Sequence, residues 1–164
     1  MSKPLYEVTN PKAQILEMLE RKVEAVEEDI ADALSYVGED AVAIARVKAK
    51  ALPKDYRDHT GNLRSSYGYA VVRNRETTGD GMVSPTATSG KGSDGGATGQ
   101  RAGKAYLDKL KRKAPRSGLM LVVVAGMRYA KYVQAKGYDV LNSAELKMQE
   151  GVNDIAKSLR GKKK

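Results

Sequence analysis

The chain has 164 residues, enough for one domain with a substantial core. It contains no Cys, Trp or Phe but nine Tyr, which excludes disulfides, thiol nucleophiles and Cys-ligated metals and requires a mainly aliphatic core. The net charge of +9 is unevenly placed: residues 1–44 hold ten acids against four bases, and residues 45–164 hold ten acids against twenty-five bases. An acidic segment and a basic remainder on one chain suit pairing between neighbouring copies, contact of the basic part with nucleic acid, or plain solvation. The polar N-terminus carries no secretory signal pattern, and the longest apolar run, Gly118 to Met127, is too short to span a bilayer.

Asn10-Pro11 reads as a helix start, with Asn as the cap and Pro in the first turn. Leu16, Leu19, Val23, Val26, Ile30, Ala33, Val37 and Ile44 then recur at spacings of three or four, with one longer step near Gly38. Glu17, Glu20, Glu24, Glu27, Glu28 and Asp32 occupy the other faces. This pattern predicts a long amphipathic helix over 11–52, with a kink at Gly38 and its end at Leu52-Pro53. The apolar stripe is read as core, with a coiled-coil seam as the alternative.

Lys54 to Thr60 is a polar connector. Residues 60–83 read as a helical turn, Gly61 to Ser66, and a strand from Tyr67 to Arg75. Tyr67, Tyr69 and Val71 lie on one face of that strand, and Ala70 and Val72 on the other. A turn is expected at Thr78-Gly79-Asp80-Gly81, with a returning strand from Met82. Residues 84–103 are rich in Gly, Ser, Thr and Ala, and predict a long flexible arm. A basic helix is expected over 104–114, its charge pattern beginning at Arg101. Within 118–141, Leu119 to Ala125 is apolar on both faces and is expected to be central in the sheet, followed by a Tyr-rich segment. Asn142 and Glu145 have capping-box spacing and start a final helix over 142–160, before a basic tail at 161–164. The order predicts a single α+β domain: a small antiparallel sheet packed against the long N-terminal helix and the C-terminal helix, with the arm emerging from it.

No catalytic constellation is visible. His59, with Asp55, Asp58, Ser65 and Ser66 close in sequence, lacks the Gly-x-Ser-x-Gly elbow of a hydrolase. Gly90-Lys91-Gly92-Ser93-Asp94-Gly95 matches a dinucleotide fingerprint in letters only, because it lies in a polar stretch rather than between a strand and a hydrophobic helix. No catalytic residue, metal or cofactor is expected. Two sets of residues suit contacts instead. Lys104, Lys109, Lys111, Arg112, Lys113 and Arg116 suit DNA or an acidic partner. Arg128, Tyr129, Tyr132 and Lys136 combine the residue types enriched at interface centres, with completion of a Phe-free core as the alternative for the two Tyr.

The run Thr60-Gly61-Asn62-Leu63-Arg64-Ser65-Ser66 entering a strand, and later Val-Val-Val-Ala-Gly followed by Tyr129-Ala130-Lys131-Tyr132-Val133 and Gly137, sit between a long first helix and a closing helix. This arrangement resembles the tail-completion or head–tail joining (minor tail, neck) proteins of long-tailed double-stranded DNA phages, over about residues 10–160. That family commonly has Glu where this chain has Gln134, so a charged contact there becomes a neutral one. The resemblance implies a non-enzymatic virion protein made in the host cytoplasm and placed at the head–tail junction or tail top. It implies a ring of six copies, with twelve as the alternative, touching neighbouring neck and tail proteins and, non-specifically, the DNA in the channel, with no membrane involved. Arg64, Arg128, Tyr129, Tyr132, Gln134 and Lys136 are the expected subunit contacts. A soluble nucleic-acid-binding accessory protein is the alternative.

Overall fold

Forty residues, Pro11–Lys50, form one continuous helix, α1, which at about 1.5 Å per residue is on the order of 60 Å long. It is followed by α2 (Asn62–Ser65), strands β1 (Tyr67–Arg73) and β2 (Glu76–Met82), α3 (Ala97–Lys111), β3 (Leu119–Ala125), α4 (Ala130–Ala135) and α5 (Asn142–Gly161). The computed structural model describes residues 11–53, 58–85, 88, 90 and 92–161. The Asn10 cap, residues 54–57 of the connector, residues 86, 87, 89 and 91 of the expected arm and residues 162–164 of the tail lie outside the described residues.

The architecture is α+β, with a three-stranded antiparallel sheet between helical layers. Strand alternation decides which layer each residue meets. Tyr69 and Val71 of β1 face α1, with Val71 packed against Ala31 and Leu34 and Tyr67 and Tyr69 joining Ala41, Val42 and Ala45. Ala70 faces the opposite way and packs with Val124 against Leu107 of α3. α1 stays helical through Gly38, where a side chain would meet the Tyr69 ring at 2.5 Å. That glycine makes room for the ring, and the helix is not interrupted there. α5 lies beside α1, with Met148 and Ile155 packed against the core and Lys147 4.0 Å from Asp40.

Four expectations are corrected. First, the β1–β2 turn is Asn74-Arg75, with φ of 51° and 72°, the left-handed pair that a two-residue hairpin requires. Asn74 is pinned there because its Oδ1 accepts the Gly118 N–H at 2.8 Å while its own N–H donates to the Gly118 carbonyl at 3.0 Å. The Thr78–Gly81 run is strand, with a register shift opposite Val71/Val72. Second, the sheet order is β2-β1-β3, so β3 is an edge strand and β1 is central. β3 is apolar on both faces because helices lie on both faces, not because strands flank it. Third, α5 is capped by Asp139, whose carboxylate accepts the Ser143 N–H at 3.1 Å and the Ser143 hydroxyl, and not by an Asn142–Glu145 box. Fourth, the arm assigned to 84–103 is folded over much of its described length. Thr88 donates to the His59 carbonyl at 2.6 Å, Ser93 donates to the Thr60 carbonyl at 3.0 Å, and α3 begins at Ala97 rather than 104.

α3 docks through backbone. Gly99, Gly103 and Leu107, one turn apart, are its buried positions. The Asn62 side chain accepts the Gly99 N–H at 3.0 Å. A Cβ on Gly99 would lie 2.0 Å from the Asn62 carbonyl oxygen, and one on Gly103 would lie 2.4 Å from that of Ser66. On the other side of the joint, a Cβ on Gly126 would come within 2.3 Å of the Gly103 Cα, and the Gly126 N–H donates to the Ser66 carbonyl at 3.1 Å.

Gly99→Ala tests this packing. Ala is favoured over Gly in a helix interior by about 1 kcal/mol. Overpacking against fixed backbone is nevertheless expected to lower stability by about 1–3 kcal/mol net. Denaturant unfolding measures it, and an unchanged or raised midpoint would contradict the close approach.

Candidate interaction site

The two sequence segments that carry the family resemblance meet at this joint. α2 is four residues long and has no cap from its own preceding residue, Gly61, which is left-handed at φ 76°. Asp58 caps it from further back. Its carboxylate, 2 % exposed, accepts the Leu63 N–H at 3.2 Å and the Arg64 N–H at 2.8 Å, and pairs with Arg64 Nε at 3.4 Å. Arg64, expected at a subunit contact, is therefore turned inward onto an acid of its own chain. Ser65 and Ser66 are buried and donate to the carbonyls of Gly61 and Leu63, at 2.6 and 2.8 Å. His59 is exposed, and the Asp58 carboxylate is engaged by α2, so these groups do not assemble into a Ser-His-Asp array.

Three tyrosines stand around the same acid and the core beside it. Burial, and next the Asp58 charge, push the phenols of both Tyr67 and Tyr129 well above the ordinary value. Tyr67 is fully buried and donates to the Val140 carbonyl at 3.3 Å. Tyr69 donates to Glu39 at 3.0 Å, and burial with that bond raises its pKa from 10.0 to about 12. Tyr129 thus belongs partly to the fold, as the core-completion alternative expected.

Beside the joint a groove of about 1150 Å³ runs along β3 between α3 and the segment 126–141. It gathers Arg128, Tyr129 and Gln134 from the expected contact set and Lys109 from the basic set, over a floor that includes Ala105, Val123 and Leu141. Lys131 joins them, and no Asp or Glu is among the described residues that line it. Gln134 is held by donating its amide to Asn142 Oδ1 at 3.0 Å. Tyr132 is 76 % exposed and, like the exposed Lys136, lies outside the groove lining.

The basic set is divided by α3. Lys104 and Lys111 lie on the β2 side, where Lys111 pairs with Asp80 and stands 3.9 Å from Asp108. Lys109 lies on the β3 side, and Arg112, Lys113 and Arg116 are exposed beyond the helix end. The six residues do not form one patch.

The apolar stripe of α1 is core only from Ile30 onward. Leu16, Leu19, Val23 and Val26 are 52, 50, 59 and 45 % exposed. These aliphatics form one contiguous exposed row on a helix face rather than scattered surface apolarity. Sequence reasoning missed Asp58 as the anchor of α2, and missed Gly99 and Gly103 as a docking face. The small residues spaced by four at 99 and 103 were the available signal. No family model, curated protein or solved structure matches the chain.

Two outcomes are expected. Asp58→Asn removes the charge from two amide hydrogen bonds and one ion pair and lowers stability by about 2–3 kcal/mol, read by chemical denaturation; an unchanged midpoint would contradict its anchoring role. Raised phenol pKa values mean that the folded state holds those protons more tightly. The stability they contribute is fully present below pH 10.0 and is lost as pH rises through the folded values, about 12 for Tyr69. Unfolding titrations between pH 8 and 12, with the tyrosinate absorbance of Tyr67, Tyr69 and Tyr129 isolated by comparison with their Tyr→Phe variants, are expected to show these three phenols ionising only together with unfolding; their ionisation near pH 10 with the fold intact would contradict it.

Proposed function

We propose that the chain is a structural subunit of a phage neck or tail top, one copy of a ring that completes the tail and joins it to the head around the DNA channel. The observation that carries this reading is the presence on one fold of two unlike, unpartnered surfaces: an exposed aliphatic stripe on an acidic helix, and an apolar groove rimmed by Lys109, Arg128 and Lys131. Unlike faces on one subunit make head-to-tail contacts, and such contacts close into rings when the rotation permits. The resemblance in Thr60–Ser66 and Gly126–Gly137 supports the reading further, since both segments converge on one joint. In this role the groups around Asp58 hold a scaffold together, and no chemistry is asked of them.

The alternative, a soluble nucleic-acid-binding accessory protein, draws on the exposed Arg112, Lys113 and Arg116. Its mark is DNA affinity that falls steeply with salt in a chain that stays monomeric. In the proposed role DNA contact is weak, because tight binding in a channel would stall DNA passage.

Deleting the gene from the phage or prophage that encodes it tests the role. Unjoined heads and tails by electron microscopy, rescued by the chain supplied in trans, are the expected result. Normal infectious particles from the deletion would contradict it.

A further inference from the structure

The stripe and the groove are at opposite ends of the sheet. The stripe overhangs the hairpin end, where Leu16, Leu19 and Val23 share a shallow cleft with Arg73 and Asn74. The groove lies at the other end of β1, because Val123 and Ala125 pair with Tyr69 and Tyr67. At their nearest, the four-residue step from Tyr69 to Arg73 along β1 separates them, about 14 Å at some 3.4 Å per residue. One copy's stripe therefore does not fill the same copy's groove.

The charges that flank the two surfaces are opposite. Glu20, Glu24 and Glu27 run along one margin of the stripe, at helical spacing beside Leu16, Leu19 and Val23. The groove sets Lys109, Arg128 and Lys131 around an apolar floor. Pairing α1 with α1 of a second copy would bring two acidic margins together, and like charges at an interface are repulsive. Phosphate backbones would meet the same repulsion at the stripe.

We propose that the first five turns of α1 in one copy seat Leu16, Leu19, Val23 and Val26 in the α3–α4 groove of the next copy, with Glu20, Glu24 and Glu27 facing Lys109, Arg128 and Lys131. This deepens the ring reading and rests on it by naming the contact that would repeat around the ring. It is a helix-in-groove contact, in which aliphatics at spacings of three and four anchor the helix and the charges set its direction. Each copy gives one helix and receives one, so the contact propagates head to tail.

These 164 residues include no Cys, which makes engineered pairs unambiguous. Val23→Cys and Ala105→Cys are both at exposed positions, one on the stripe and one on the groove lining. The two variants are mixed at high protein concentration under mild oxidation, and the disulfides are mapped by mass spectrometry. The expected result is a 23–105 cross-link in excess of both 23–23 and 105–105. Absence of the 23–105 cross-link, or predominance of 23–23, would overturn the proposal.

Reversing Glu20, Glu24 and Glu27 to Lys is expected to weaken self-association, measured by sedimentation, by about tenfold or more, from three partly exposed pairs. Adding Lys109→Glu, Arg128→Glu and Lys131→Glu to the same chain is expected to restore it. Circular dichroism confirms that each variant is folded, and failure of the reversed set to restore association would count against the pairing. Loss of the cross-link in a chain that still rescues particle assembly removes this contact and leaves the ring role standing. A cross-link in a chain dispensable for particles does the reverse.

Discussion

The fold depends on three stretches of backbone meeting where side chains would not fit. α3 reaches the sheet only because Gly99 and Gly103 present bare backbone to Asn62 and Ser66, and because Gly126 lets the exit from β3 pass beside Gly103. The short helix α2 forms one wall of this joint. A four-residue helix has no cooperative stability of its own. It persists because Asp58 takes its free amides and Asn62 takes one from α3. The ion pair with Arg64 neutralises an acid that is otherwise costly to bury.

The joint also sets the surface. By fixing α3 across one face of the sheet and the segment 126–141 beside its edge, it opens the groove in which Lys109 and Arg128 come together. β3, the edge strand of the sheet, lines that groove through Val123, Val124 and Ala125. An apolar edge strand is a liability for a free monomer. At the far end of the same sheet α1 continues past the last strand residue with its aliphatic face uncovered. In the proposed ring each copy uses both surfaces, one to give a contact and one to receive it.

Much of the fold was legible because periodicity is a local property. The spacing of aliphatics placed α1 to within two residues of its observed end, and alternation in Tyr67–Val72 assigned both faces of β1. What failed was what tertiary structure decides. Double burial made β3 look central, though helices rather than strands cover it. Asn74-Arg75 turns the hairpin without a glycine, held by Gly118 from across the sheet, while the glycines at 79 and 81 lie within β2. The Gly-rich stretch before Gly103 reads as disorder when its partner, the backbone of α2, is thirty-odd residues away in sequence. In the site, residue types flagged Arg128 and Tyr129 but gave no means of knowing that Lys109 joins them, or that Arg64 does not.

The most direct test of the proposed role is cryo-electron microscopy of intact particles induced from the genome that encodes the chain. The account predicts a ring of this fold at the head–tail junction or tail top, each copy's α1 lying against its neighbour. Particles whose neck and tail density is complete without this chain would contradict it.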